Sequence, residues 1–128
     1  MTIAQPLLAI ALGATLGAWL RWGLSLWLNP LHYKLPMGTL VANLIGAYLI
    51  GLAIAVIGRN PAISPQLSLF ITTGFLGGLT TFSAFSVETV DLLTRQHYFW
   101  GMTIIMSHVL GSLLMTFLGI LTVKSLSA

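Results

Sequence analysis

Cysteine is missing altogether, only two residues are acidic, and charged residues make up 5% of the 128. Without cysteine there is neither a disulfide nor a thiolate metal site. With Glu88 and Asp91 as the only carboxylates, the convergent acids, bases and nucleophiles of a catalytic centre cannot be assembled. His32, His97 and His108 fall in three different predicted elements, without the paired spacing of a metal site. The glycine-rich run GFLGGLTT, from Gly74, has no lysine to act as a P-loop would require. These absences exclude an enzyme and exclude ATP-driven pumping by this chain alone.

What is abundant is apolar: 57% of residues are hydrophobic. Stretches with no charge run from Met1 to Leu20, Leu35 to Gly58, Asn60 to Val87 and Tyr98 to Val123, each close to or above the ~20 residues of a membrane-spanning helix. The expected architecture is all-α, a single transmembrane domain over residues 1–128 with helices over 6–28, 36–57, 66–94 and 98–123. The first stretch has no basic n-region and continues to Leu28 with no cleavage site, so it reads as a helix and not as a signal peptide. Five scattered basic residues give a net charge of +3 but no nucleic-acid patch. With four crossings, Lys34 and Arg95 lie on one side of the membrane and Arg59 and Lys124 on the other. Lys/Arg bias sets orientation, so this near tie predicts insertion either way up. Four short helices are also few to enclose a hydrated path, and an antiparallel homodimer is the expectation.

Local spacing marks candidate faces. Gly13, Gly17 and Arg21 share one face of helix 1, as a packing groove with an arginine that either snorkels or lines a polar vestibule. Thr39, Asn43 and Gly46 share a face of helix 2. A buried amide there is either interhelical glue or a donor of two protons to an anion. In helix 4, His108, Ser112 and Thr116 recur every fourth residue and draw a polar line. His108 is expected to bond a neighbouring helix, with a proton relay as the alternative. His32, in the Asn29 to Pro36 loop, is expected to be solvated.

The third span holds the chain's central feature. Gly74, Gly77 and Gly78, followed by the hydroxyls of Thr80, Thr81 and Ser83, disfavour a continuous helix. A break inside a bilayer is tolerated only where protein, ion or water supplies the lost backbone partners. Phe82 and Phe85 share a face beyond the break, either as apolar surface or as a pore lining whose positive ring edges attract an anion. Glu88 follows one turn on, paired to Arg95, solvated, or at a pore mouth, while Asp91 and Arg95 form a surface i,i+4 pair. Channel, coupled transporter and accessory subunit remain. A proton-coupled exporter of the small multidrug type depends on a carboxylate in helix 1, where this chain has Arg21. The inventory of amide, hydroxyls and ring edges donates hydrogen bonds and points to an anion.

The segments GATLGAWLRW, GTLVANLIG and GFLGGLTTFSAFSVE resemble the CrcB or Fluc-type fluoride channels, over essentially the whole chain. That resemblance implies an antiparallel, dual-topology homodimer in the bacterial inner membrane, with two pores that let cytoplasmic fluoride leave passively. By position it implies that the ring edges of Phe82 and Phe85 contact fluoride, that Asn43 lines the pore and that Arg21 lies by a vestibule. Thr81, Ser83, His108, Ser112 and Thr116 would form a polar track with Glu88 near its end. The break would span Gly77 to Thr80, whose main-chain carbonyls from both subunits would hold a structural sodium ion. Where some relatives carry threonine and tyrosine this chain has Ala84 and Met106, which implies a thinner track.

Overall fold

The structure is a computed structural model and describes residues 2–128. Helix α1 (Ala4–Leu28) carries Pro6 in its first turn, where no amide bond is lost. A 3-10 turn (Asn29–Leu31) leads to α2 (Met37–Arg59), whose first turn is tied down where Asn29 Oδ1 accepts a bond from Gly38 N at 2.7 Å. The third span is composite. It begins as α3 (Pro65–Leu69), capped by the Ser64 hydroxyl, passes through a π-helical segment (Phe70–Leu76) and ends in one α-turn, α4 (Gly77–Leu79). After an extended Thr80–Thr81 the chain resumes as α5 (Phe82–Thr94), and α6 (Tyr98–Leu126) completes the fold. Four stretches, Ala4–Leu31, Met37–Arg59, Pro65–Thr94 and Tyr98–Leu126, are long and apolar enough to cross a membrane.

The helix bounds differ slightly from the expected ones. Helix α2 runs on to Arg59 and α6 to Leu126, because Arg59 and Lys124 continue the last turns, where a cation is favourable. The chain has the surface of a membrane protein: Leu7, Leu8, Leu12, Trp19 and Leu113 are among many large apolar side chains left exposed. Lipid takes the place of water around them.

Two close crossings hold the bundle together. In one, α1 lies against the π-helical segment and α4. A Cβ on Gly13 or Gly17 would overlap the backbone of Phe70 and Phe75, and one on Gly78 would lie 2.5 Å from Ala14 O. In the other, α2 meets α6, with Gly51 against the Thr116 backbone and Gly119 against the Tyr48 backbone. Apolar surface gains nothing by leaving lipid for protein, so helices hold through the close packing that missing side chains permit. Ala42, Leu76 and Leu79 form one buried cluster between these crossings, and Phe85, Leu92 and Ile104 form a second.

The break is present at Thr80–Thr81, at the far end of the expected Gly77 to Thr80 stretch, and of its two expected causes the hydroxyls act and the glycines do not. Gly77 and Gly78 are still helical, and among the described residues no glycine has positive φ. Backbone freedom is not what Gly74 and Gly78 supply; they let α1 approach. The chain leaves the helix at Thr80 (ψ 151°) and Thr81 (φ −148°, ψ 119°). There the Thr81 hydroxyl accepts a bond from Ala84 N at 3.2 Å and caps α5.

Candidate functional site

Where an extended pair of residues separates two helices inside a bilayer, the amide that opens the second helix has no partner in either. Asn43, one turn along α2 from Thr39, takes up that amide and adds a bond to the carbonyl of the same residue. Its Oδ1 accepts from Thr81 N at 2.8 Å, and its Nδ2 donates to Thr81 O at 3.1 Å. Because Thr81 N can only donate, the orientation of the amide is settled. The second Nδ2 proton then points at His108 Nδ1, 3.0 Å away. Nδ1 must accept, so the neutral ring carries its proton on Nε2. That nitrogen is buried without a partner, on a side chain only 4% exposed.

The His108 ring lies 4.7 Å from that of Phe85, and Phe85 meets Phe82 edge-on at 5.4 Å and 61°. Phe85 is buried in the wall, whereas Phe82 is 77% exposed. These groups border a cavity of about 500 Å³ between α2, the third span and α6. It is also lined by Thr72, Gly77, Thr80, Thr81, Ser112 and Thr116, and no lining side chain is formally charged. Thr116 donates to Ala47 O at 2.9 Å. Among the described residues the Ser112 hydroxyl has no hydrogen-bond partner, so it can donate into the space.

A second cavity, of about 380 Å³, lies across the break, lined by Arg21, Thr81, Ser83, Ala84, Val87 and Glu88. Thr81 borders both spaces. Arg21 Nε donates to Gly78 O at 3.1 Å, placing a cation where the carbonyl dipoles of the interrupted helix end. Glu88 Oε1 accepts from the Thr39 hydroxyl at 2.6 Å, while its Oε2 is buried and unpartnered.

Residues 8–120 match the family described as CrcB-like protein, Camphor Resistance (CrcB). The chain belongs to the CrcB family. Among its relatives, the fluoride-specific ion channel FluC of Nitrosospira multiformis is 60% identical over 121 residues, covering 94% of each chain. FluC of Nitrosomonas europaea is 57% identical over 119 residues, 93% of this chain and 94% of its own. FluC of Pseudomonas aeruginosa is 56% identical over 120 residues, 94% of each. These relatives are named as ion channels, and the chain is a multi-pass membrane protein of that family and not an enzyme.

On this CrcB-family scaffold the sequence-predicted residues come together in two groups. Asn43, Gly77, Thr80, Thr81, Phe82, Phe85, His108, Ser112 and Thr116 border the larger cavity, and Arg21, Thr81, Ser83 and Glu88 the smaller. Three readings that the sequence left open are decided, each against at least one of its alternatives. Asn43 has no amide proton left for an anion, since both are spent on Thr81 O and His108 Nδ1. Glu88 neither pairs with Arg95 nor stands in solvent: its partner is Thr39, and Arg95 is held by Asp91 at 3.0 Å as its i,i+4 spacing predicts. Arg21 does not snorkel to the headgroups but turns inward to Gly78 O. Thr39 and Thr72 are site residues that sequence reasoning passed over. For Thr39 the signal was its position one turn before Asn43 on the same face.

Proposed function

We propose that this chain is a fluoride channel, and that the anion travels along the uncharged wall around the break in the third span. The supporting observation is the combination of a membrane-buried cavity with neutral donors. Its lining has no charge that would trap a small anion, yet it offers the Ser112 hydroxyl and the edges of Phe82 and Phe85, with the His108 ring in the same wall. Fluoride is compact and strongly hydrated, so it enters a low-dielectric path only where fixed donors replace its water. Asn43 serves this path indirectly, by holding Thr81 and the His108 tautomer in place. Arg21 and Glu88, with Thr81 and Ser83, form the vestibule on the other side of the break.

The working unit is an antiparallel homodimer with two pores. The larger cavity is open on the side where Phe82, Val109 and Leu113 are exposed, and a second copy would close its polar lining away from lipid. Lys34 and Arg95 at one end of the bundle balance Arg59 and Lys124 at the other, which allows both insertions. A structural sodium ion is held at the dimer axis by the main-chain carbonyls of Gly77 and Thr80. Supporting this, the amides four residues after those carbonyls are directed elsewhere, Thr81 N to Asn43 Oδ1 and Ala84 N to the Thr81 hydroxyl. Uncharged hard oxygens suit an alkali cation.

The test is efflux from liposomes followed with a fluoride electrode, with chloride and an imposed proton gradient as controls. The purified protein is expected to release fluoride passively and to exclude chloride. Phe82→Ile and Phe85→Ile are each expected to abolish release while the protein stays folded. Release at the wild-type rate in both variants defeats the aromatic path.

A further inference from the structure

The loop between α1 and α2 folds onto the start of α6, at the level where the spans end. His32 stacks on Tyr33 at 4.9 Å and meets Trp100 edge-on at 5.0 Å, while Tyr33 and Trp100 are 5.9 Å apart. His32 is therefore not simply solvated, as the sequence suggested. Its Nδ1 accepts two backbone amides, Lys34 N at 3.1 Å and Leu35 N at 2.9 Å, so its ring proton resides on Nε2 and faces outward from that turn. Lys34 is half-buried. Its Nζ lies 3.0 and 3.2 Å from the two ring nitrogens of His97 and 5.4 Å from the Tyr33 ring centroid.

This cation has neutral partners only. Among the described residues Lys34 is in no ion pair; Asp91 is occupied by Arg95 and Glu88 by Thr39. One neutral ring nitrogen of His97 can accept one ammonium proton, which leaves two ammonium protons together with the N–H groups of His32 and His97. Several donors, one uncompensated positive charge and a ring platform stand at headgroup depth, where exposed Tyr98 and Phe99 mark the interface.

We propose that Lys34, His97 and His32 bind the phosphate of an anionic phospholipid headgroup against the Tyr33 and Trp100 rings. A zwitterionic lipid brings its own cation, which competes with Lys34 for the phosphate, and the Tyr33 ring already carries the ammonium group. The site is separate from both cavities and does not depend on which ion the chain conducts.

Native mass spectrometry of the full chain, equilibrated in detergent with equal amounts of phosphatidylglycerol and phosphatidylcholine, tests it. Wild type is expected to retain phosphatidylglycerol about fivefold over phosphatidylcholine, the preference that one interfacial lysine supplies. K34Q is expected to bring the ratio close to one, while K34R keeps it and R59Q, a cation at the opposite end, leaves it unchanged. Excess inorganic phosphate is expected not to displace the lipid. Equal retention in wild type, an equal fall in R59Q and K34Q, or displacement by inorganic phosphate overturns the proposal. Should K34Q fail to fold, wild type and K34R decide: a ratio near one in either refutes it.

Discussion

Replacing Asn43 by leucine probes the break directly. The substitution keeps the volume roughly constant but removes three bonds, at 2.8, 3.1 and 3.0 Å, and strands Thr81 N and His108 Nδ1, while Thr81 O keeps its bond as the N-cap carbonyl of α5. Two magnitudes compete. Side-chain hydrogen bonds inside membranes average about 0.6 kcal/mol by double-mutant cycles, which for three bonds gives about 2 kcal/mol. A buried polar group left without any partner costs about 1–3 kcal/mol, so two give about 2–6 kcal/mol. The second estimate governs here, because Thr81 lies outside both helices and its amide has no intrahelical alternative. Asn43→Leu is therefore expected to lower stability by about 2–4 kcal/mol in detergent unfolding followed by tryptophan fluorescence, and to abolish fluoride efflux. Ring ¹⁵N spectra of His108 should show the Nε2–H tautomer in the wild type and lose that preference in the variant. A loss of stability under about 1 kcal/mol, or a wild-type ring protonated on Nδ1, would refute the bridging role.

Gly17→Ala forces a methyl group into the Phe75 carbonyl and to 2.8 Å from Leu79 N, whereas a methyl group on Gly23 meets nothing within 4 Å. The same unfolding assay should show a loss of about 1–3 kcal/mol for Gly17→Ala and none for Gly23→Ala; equal behaviour would remove the close-crossing argument. Arg21→Gln gives up a charge-assisted bond to Gly78 O and should cost about 1.5 kcal/mol, against no measurable change for the exposed Arg59→Gln. Parity between those two returns Arg21 to a headgroup role. Because the chain has no cysteine of its own, a single cysteine placed at Thr2 reports orientation cleanly, and labelling is expected from both sides of the membrane. Labelling from one side only contradicts dual insertion.

Much of the fold was legible because it depends on short-range pattern. Uncharged runs marked the four spans, the helical pitch placed Gly13, Gly17 and Arg21 on one face and Thr39, Asn43 and Gly46 on another, and the i,i+4 rule paired Asp91 with Arg95. The interruption in the third span was also foreseeable from its threonines. Its glycines misled, since in sequence a glycine that frees the backbone looks the same as one that admits a neighbouring helix. Only the crossing with α1 shows that Gly74 and Gly78 are of the second kind.

Composition and spacing alone placed the chain in a membrane, with four stretches able to cross it and polar residues beside a break in the third. Packing set which partner each polar group takes: Asn43 with Thr81 and His108, Glu88 with Thr39, Arg21 with Gly78, and Lys34 with His97. Every one of those pairings joins residues at least 38 positions apart. Pitch and hydropathy state which face a side chain occupies, but the length of a hydrogen bond is set by how closely two helices cross. In this bundle that distance depends on the glycines at the crossings, and so the donors left for an anion could be counted only once the helices were packed.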